Sequence, residues 1–264
     1  MKAAIICSRE DPVASNVARI LVELYGFREG GSSTSHMGDI DMITTDSPPT
    51  SCDDLIASID VELVVIPSRH RSETGRNSLL AHPVGNWGAD TSLGGKPETL
   101  SKTSAYAIYR AVLTFVDAAE RLKLNGWEIG MEVTHHGPYS EIPTVFVELG
   151  STPQVWGDER MAEVVAEACI AACGSTIPKE VAVGFGGGHY ARRFVELMLK
   201  KDIAFGHIAP KYRMPVPPHL ISQAFEKTVE SPSTAYIDWD GIKGEHRDMI
   251  LRALKALGKE FLRC

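Results

Sequence analysis

The chain is expected to fold as a three-layer α/β protein around a mostly parallel central sheet. Two observations lead there. Short apolar runs rich in Val and Ile recur along its 264 residues, and stretches with helical signals separate them. The first run lies in Met1-Lys2-Ala3-Ala4-Ile5-Ile6-Cys7. Arg9, Glu10 and Asp11 end it far short of the ~7–15 residues of a signal-peptide core, so it reads as a buried strand over 3–7. A helix over 12–25 follows, because Asp11 can cap it and Pro12 suits its first position. Strands are expected over 40–44, 62–67 and 79–82, then a helix over 100–124 and strands over 128–134 and 144–149. A helix over 159–173 has Asp158 to cap it and Gly174 to end it. The remaining alternation is strand 181–185, helix 190–201, strand 204–208, helix 220–228, strand 235–238 and helix 245–257.

One stretch, 67–100, carries no helix signal. It holds Gly75, Gly85, Gly88, Gly94 and Gly95, the prolines Pro67, Pro83 and Pro97, and Arg69, His70, Arg71, Arg76 and His82. Loops of that length inside compact domains are usually functional. With no internal repeat or linker, residues 1–264 are expected to form a single α/β domain with a long irregular insertion around 67–100. The composition, 44% hydrophobic and 23% charged, is ordinary for a globular protein. No apolar run approaches the ~20 residues needed to cross a bilayer, so no membrane partner is expected. The five cysteines are odd in number, and Cys169 and Cys173 sit four apart in an Ala-rich helical stretch. They read as reduced thiols packed as small apolar groups in a cytoplasmic protein. A net charge of −7 argues against a broadly basic nucleic-acid binder, DNA included, and leaves room for a local basic patch.

The chain has no Walker loop, His-Glu-x-x-His, Gly-x-Ser-x-Gly or Cys-x-x-Cys. Gly184-Phe185-Gly186-Gly187-Gly188 resembles a dinucleotide fingerprint, but His189 stands where its last glycine belongs. The run follows an apolar strand and precedes a helix. Its amides, with Gly187 and Gly188 foremost, are candidates to face a phosphate or a developing oxyanion. The plainer alternative is a tight strand-to-helix turn. His135-His136-Gly137-Pro138 closes the strand over 128–134, where sites gather in open α/β sheets. Extended backbone sends neighbouring side chains to opposite faces, so only one of the two imidazoles is expected to face a given site.

His70 and Glu73 have the His-x-x-Glu spacing of carboxypeptidase-like zinc ligands and follow a strand end; His82 comes soon after another apolar run. With nine histidines and twenty glutamates, the spacing alone is weak. His207 reads at least as well as a satisfied core histidine. Glu148, among Val, Phe and Leu, needs a partner and is a candidate ligand, base or salt-bridged structural residue; Glu132, placed mid-strand, carries less weight. Arg69 and Arg71 flank His70, Arg192 and Arg193 follow the glycine run, and Lys211 and Arg213 bracket Tyr212. These could hold an RNA backbone, with Trp87 or Tyr212 stacking on bases; scattered basic residues are also ordinary solvated surface.

Five segments together resemble the archaeal-and-plant type of D-aminoacyl-tRNA deacylase. They are Ser68-Arg69-His70-Arg71-Ser72, His82-Pro83-Val84-Gly85-Asn86, Glu132-Val133-Thr134-His135-His136-Gly137-Pro138, Phe146-Val147-Glu148-Leu149-Gly150-Ser151-Thr152 and Gly186-Gly187-Gly188-His189-Tyr190. Their order extends the resemblance over nearly the whole chain. It implies a phosphorylase/hydrolase-like α/β fold and hydrolysis of the ester joining a D-amino acid to the terminal ribose of tRNA. It also implies one or two zinc ions, with charged tRNA as partner. On that footing His136, His189, Glu148, Gly187 and Gly188 are the expected catalytic groups, and His70, Glu73, His82 and His135 the expected zinc ligands. Arg69, Arg71, Arg192, Arg193, Lys211 and Arg213 are the expected tRNA contacts, in a monomer or small homo-oligomer. Whether the ribose hydroxyl or a zinc-bound water attacks stays open. Two other readings compete: a zinc amidohydrolase or carboxypeptidase-like enzyme on small molecules, and a non-enzymatic RNA-binding module. A nucleoside phosphorylase is a fold-level analogue only.

Overall fold

The computed structural model describes residues 1–31, 33–72 and 74–264. The chain opens with β1 (Ala3–Ser8), α1 (Pro12–Glu23), the short strands β2 (Arg28–Glu29) and β3 (Thr34–Met37), β4 (Ile40–Thr45) and α2 (Asp53–Ser58). Then come β5 (Leu63–His70), β6 (Ser78–Pro83), β7 (Gly85–Asn86), β8 (Thr99–Leu100), α3 (Ala105–Leu122), β9 (Glu128–Met131) and β10 (Thr144–Gly150). The rest is α4 (Pro153–Trp156), α5 (Glu159–Ala172), β11 (Glu180–Phe185), α6 (Arg192–Lys201), β12 (Ile203–Ala209), α7 (Pro218–Glu226), β13 (Thr234–Ile237), α8 (Gly244–Ala256) and β14 (Glu260–Arg263).

Among the described residues, β2-β3-β4-β1-β5-β10-β6-β9 form one eight-stranded sheet, and β12-β11-β13-β14 a second, wholly parallel one. In the larger sheet β1 runs parallel to β4 and β5, β10 parallel to β5, and β9 parallel to β6. The β2–β3, β3–β4 and β10–β6 pairs are antiparallel. The expected α/β architecture with a mostly parallel sheet is therefore observed.

The period of two explains why the central strands read as continuous apolar runs. Ala3, Ile5 and Cys7 of β1, Leu63 and Val65 of β5, and Val145, Val147 and Leu149 of β10 enter one core, beneath α1, α3 and α5. Ala4, Ile6, Val64, Ile66 and Phe146, on the opposite face, enter another with Ile56 of α2. Each fully buried Val, Leu, Ile or Phe contributes about 1.5–3 kcal/mol. The first core also takes Phe194, Phe205 and Tyr236, so it runs on into the second sheet. The caps match expectation: Asp11 Oδ1 accepts from the Val13 and Ala14 amides at 2.9 and 3.1 Å, and Asp158 caps α5.

Three expectations change. The 67–100 stretch is not irregular throughout, because β5 continues to His70, β6 pairs with β10, and β7 pairs with β8. The strand expected over 128–134 leaves its sheet after Met131. From there the Glu132 amide donates to Ala81, Val133 to His189, and Thr134 to Ile208 of β12. Residues 132–134 thus stitch the two sheets together. The helix expected from 190 begins at Arg192. Among the described residues, no helix is long and apolar enough to cross a membrane.

Candidate functional site

Register alone assembles half the site. On β5, Ser68 and His70 share a face; on β10, Phe146 and Glu148 share one; and β10 pairs Glu148 with Ser68 and Phe146 with His82. The Ser68 hydroxyl accordingly donates to Glu148 Oε1 at 2.6 Å, and His70 Nδ1 lies 3.1 Å from Glu148 Oε2. The His82 ring stacks on Phe146 with centroids 5.2 Å apart.

The other half comes from the stitch and from the loop after β11. His136 has φ +43°, in the left-handed region, so the strand alternation expected for His135-His136 is broken and both imidazoles turn to the same side. His135 lies 4.2 Å from His82, 4.4 Å from His136 and 4.8 Å from His189 by ring centroids. Glu132, completely buried, sits among them. Its Oε1 is 2.9 Å from His189 Nε2 and 3.4 Å from His70 Nδ1, and its Oε2 is 3.8 Å from His135 Nε2.

Hydrogen bonding decides which imidazole nitrogen faces inward. His82 Nδ1 is 3.1 Å from the Pro83 carbonyl, His135 Nδ1 2.8 Å from that of Val133, and His136 Nδ1 2.6 Å from that of Gly137. A carbonyl only accepts, so each ring donates Nδ1–H and, in its neutral form, keeps its Nε2 lone pair for the interior. The Tyr212 hydroxyl lies 3.2 Å from His189 Nδ1, and because a hydroxyl donates or accepts it holds that ring in place without fixing its tautomer. His70 Nε2, His82 Nε2 and both Glu132 oxygens are buried without a hydrogen bond; the 2.9 Å approach of His189 lacks the alignment of one. An uncompensated carboxylate in such a place costs several kcal/mol. A cation removes that cost. His82, His135 and His136 form one set of donors within 4.8 Å of each other, Glu132, His135 and His189 a second, and His70, Glu132 and Glu148 a third. Donor type, pinned tautomers and unpaired lone pairs all fit a divalent metal.

The electrostatics agree. Burial, reinforced by repulsion from neighbouring imidazoles, holds His135 well below the usual histidine range and His136 down to about 4, so both are neutral at pH 7. Burial would also lower His70 and His82. The hydrogen bond that His70 donates to Glu148 and the carboxylate charges outweigh it, and both shift upward. His82 Nε2 at 3.8 Å from Glu148 Oε1 is a charge contact rather than a hydrogen bond. Glu148 is raised by burial, but these two imidazoles reverse the shift and hold it well below the usual carboxylate range.

These groups open into a pocket of about 460 Å³. Its walls include Pro48, Pro49, Thr50, Leu93 and Phe146, and Asp11, Arg69 and Arg71 also line it. Both guanidiniums lie 5.7 Å from the Trp156 ring centroid, and Arg69 Nε is 3.7 Å from Asp11. A recess of about 50 Å³ on the other side of His135 and His136 is lined by Asn86, Trp87, Tyr212 and Arg213.

The structure thus brings together His70, His82, His135, His136, Glu148 and His189. Glu73 lies outside the described residues. Glu132 reaches the site because β9 ends at Met131 instead of running through it; an acid in an apolar segment, three residues before His135, is its signal in the sequence. Several other candidate groups have partners of their own. The Gly187 amide donates to Asp238 Oδ2 at 3.0 Å and that of Gly186 to Ala209, so two amides of the glycine run are already bonded. With α6 starting at Arg192, Gly188 lies before a turn rather than at a helix start. Glycine is required at 186 for space: with φ +107°, a Cβ there would lie 2.7 Å from Asp238 Cβ. Trp87 is 5% exposed and offers no stacking face. Arg192 makes a paired contact with Glu128 at 2.8 and 2.6 Å, Arg193 is 3.6 Å from Glu196, and neither lines the pocket. His207 is a satisfied core histidine, with Nε2 3.0 Å from the Ser101 carbonyl and Nδ1 3.1 Å from the Thr134 hydroxyl.

A family model described as D-aminoacyl-tRNA deacylase matches residues 57–262. The chain is 35% identical to the D-aminoacyl-tRNA deacylase of Thermococcus kodakarensis and 33% to that of Pyrococcus furiosus, covering 98% of both partners in each comparison. It is 34% identical to the one from Methanosarcina barkeri, over 99% of this chain and 89% of the relative. The solved structure of a conserved protein of unknown function, AF0625, superposes with a TM-score of 0.89 at 30% identity, over 99% of this chain and 94% of that one.

Proposed function

The chain belongs to the D-aminoacyl-tRNA deacylase family, a family of hydrolases, and we propose that the histidine–glutamate pocket is where it cleaves the ester between a D-amino acid and the 3′-terminal ribose of tRNA. The observation that supports this reading is the gathering of imidazoles and carboxylates into candidate donor sets, two of which share the fully buried Glu132, with His70, His135, His136, Glu148 and His189 lining one pocket. Zinc, as one or two ions, suits these donors. His70, Glu132 and Glu148 would hold one ion and Glu132, His135 and His189 another, Glu132 being common to both sets. When bound, zinc polarises a carbonyl oxygen and makes water a nucleophile at neutral pH.

The chain's own groups supply the rest. His136, neutral and with Nε2 unprotonated, is placed to accept a proton at that atom. Ser68 fixes Glu148 through its hydroxyl, and His70 keeps that carboxylate ionised. Pro48, Pro49, Leu93 and Phe146 exclude water and receive the amino-acid side chain, with a wall that an L side chain would strike. Arg69 and Arg71 attract the phosphates of the tRNA end. The apolar core shared by both sheets supports reading 1–264 as one domain, and the five free cysteines suit a cytoplasmic enzyme.

Release of D- versus L-amino acid from charged tRNA, with and without prior chelation, tests the reading. Preferential, chelator-sensitive release of the D-amino acid is expected. Release that survives exhaustive chelation would remove zinc from the proposal, and no release from either substrate would overturn it.

A further inference from the structure

From the deacylase reading, we infer that Tyr212 is the stacking platform for the terminal base of the tRNA, the base on the same ribose as the scissile ester. Three aromatic side chains line the pocket or the adjoining recess: Phe146, Trp87 and Tyr212. Phe146 is 1% and Trp87 5% exposed, whereas Tyr212 is 55% exposed, so it alone of the three presents a free ring face.

Its position is tied to the chemistry. The Tyr212 hydroxyl is 3.2 Å from His189 Nδ1, and the opposite nitrogen of that ring is 2.9 Å from Glu132. A nucleoside whose ribose ester sits at these groups has its base within one sugar's reach of Tyr212. The recess that Tyr212 lines is small, about 50 Å³, so the exposed ring rather than the recess is the surface offered to a base. Lys211 and Arg213 flank Tyr212 on the same short turn, both exposed, and neither forms an ion pair within 4.0 Å among the described residues. An exposed aromatic between two free cations is the pattern of single-strand recognition: the ring takes a base face while the cations take the backbone. Stacking of this kind tolerates any base, so Tyr212 contributes affinity for a single-stranded end rather than base identity.

Uncharged tRNA with 2-aminopurine as its terminal base tests this without turnover, because stacking on tyrosine quenches the probe. The full-length protein should quench its fluorescence. Tyr212→Ala should abolish the quench and weaken binding at least about fivefold, while Tyr212→Phe, which keeps the ring, should quench as wild type does. In deacylation, Tyr212→Ala should raise KM above that of Tyr212→Phe, which loses the same hydroxyl from beside His189 but keeps the ring. A charged tRNA abasic at its terminal position should lose no further affinity in this variant. An equal quench by Tyr212→Ala, or additive losses from the variant and the abasic end, would overturn the inference. Turnover by the wild type without a quench overturns the stack alone. A quench without turnover supports the stack and tells against the deacylase reading.

Discussion

Glu132 Oε1 lies 2.9 Å from His189 Nε2, although Glu132 follows β9 of the larger sheet and His189 follows β11 of the smaller one. The site therefore exists only where the two sheets are joined. Residues 132–134 make that join through backbone bonds to β6, to His189 and to β12. Packing of the second sheet thus brings His189 to the acid, and the geometry of the proposed site depends on the shared core.

Glu132→Gln keeps the shape and removes the charge. Deacylation should fall at least about 100-fold, as loss of a metal-site group does. The apo variant should be no less stable than wild type, because a buried, unpaired carboxylate is gone. Zinc at about 100 times its Kd should raise the wild-type melting temperature on the order of 5 °C, and that of the variant much less. Thermal melts with and without zinc check this; equal zinc shifts would remove Glu132 from the metal site.

Removing either inward imidazole should also be severe. His136→Ala and His189→Ala are each expected to lower kcat/KM about 100-fold or more, in the range found for positioned proton-transfer groups. Single-turnover release from D-aminoacyl-tRNA measures it. Losses below about threefold in both would contradict the roles given to these residues.

Much of this site was legible from local chemistry. β1, β5 and β10 read as apolar runs because both their faces are covered, and His70, His82 and Glu148 lie within or at the ends of such runs. The convergence of His135 with His136 was not legible, because the left-handed backbone of His136 is a property of the turn in place. The partner of the Gly187 amide was equally hidden, since Asp238 stands 51 residues away. Strands β2, β3 and β14 are short and carry no continuous apolar run, so they left little trace.

The glycine run offers a contrast between neighbours. Gly186→Ala places a Cβ 2.7 Å from Asp238 and forces alanine to φ +107°, and it should cost more than about 1 kcal/mol. A Cβ on Gly188 meets nothing within 4 Å, so Gly188→Ala should stay within about 0.5 kcal/mol of wild type. Urea unfolding of the two variants decides it. Equal stabilities would mean that Gly186 is not held by contact with Asp238.

The pH dependence of stability should carry the signature of His207. Burial lowers its pKa from 6.5 to about 3; the Ser101 carbonyl opposes the shift and Lys227 adds to it. The Thr134 hydroxyl accepts from the Ile208 amide, so its own proton points to His207 Nδ1, and a proton on that nitrogen would break the relay. In the unfolded chain His207 takes up a proton as pH falls through 6.5, while the folded chain does not until about 3. Its contribution is therefore intact above 6.5 and is lost with acidification by about 1.4 kcal/mol per pH unit. Between pH 6.5 and 5, wild type should lose about 1.6 kcal/mol more than His207→Gln, which has no titrating ring. Urea midpoints at fixed ionic strength measure the difference. Parallel losses in the two proteins would show that His207 is already protonated or open to solvent, and that the joint between Thr134 and β12 is looser than the relay requires.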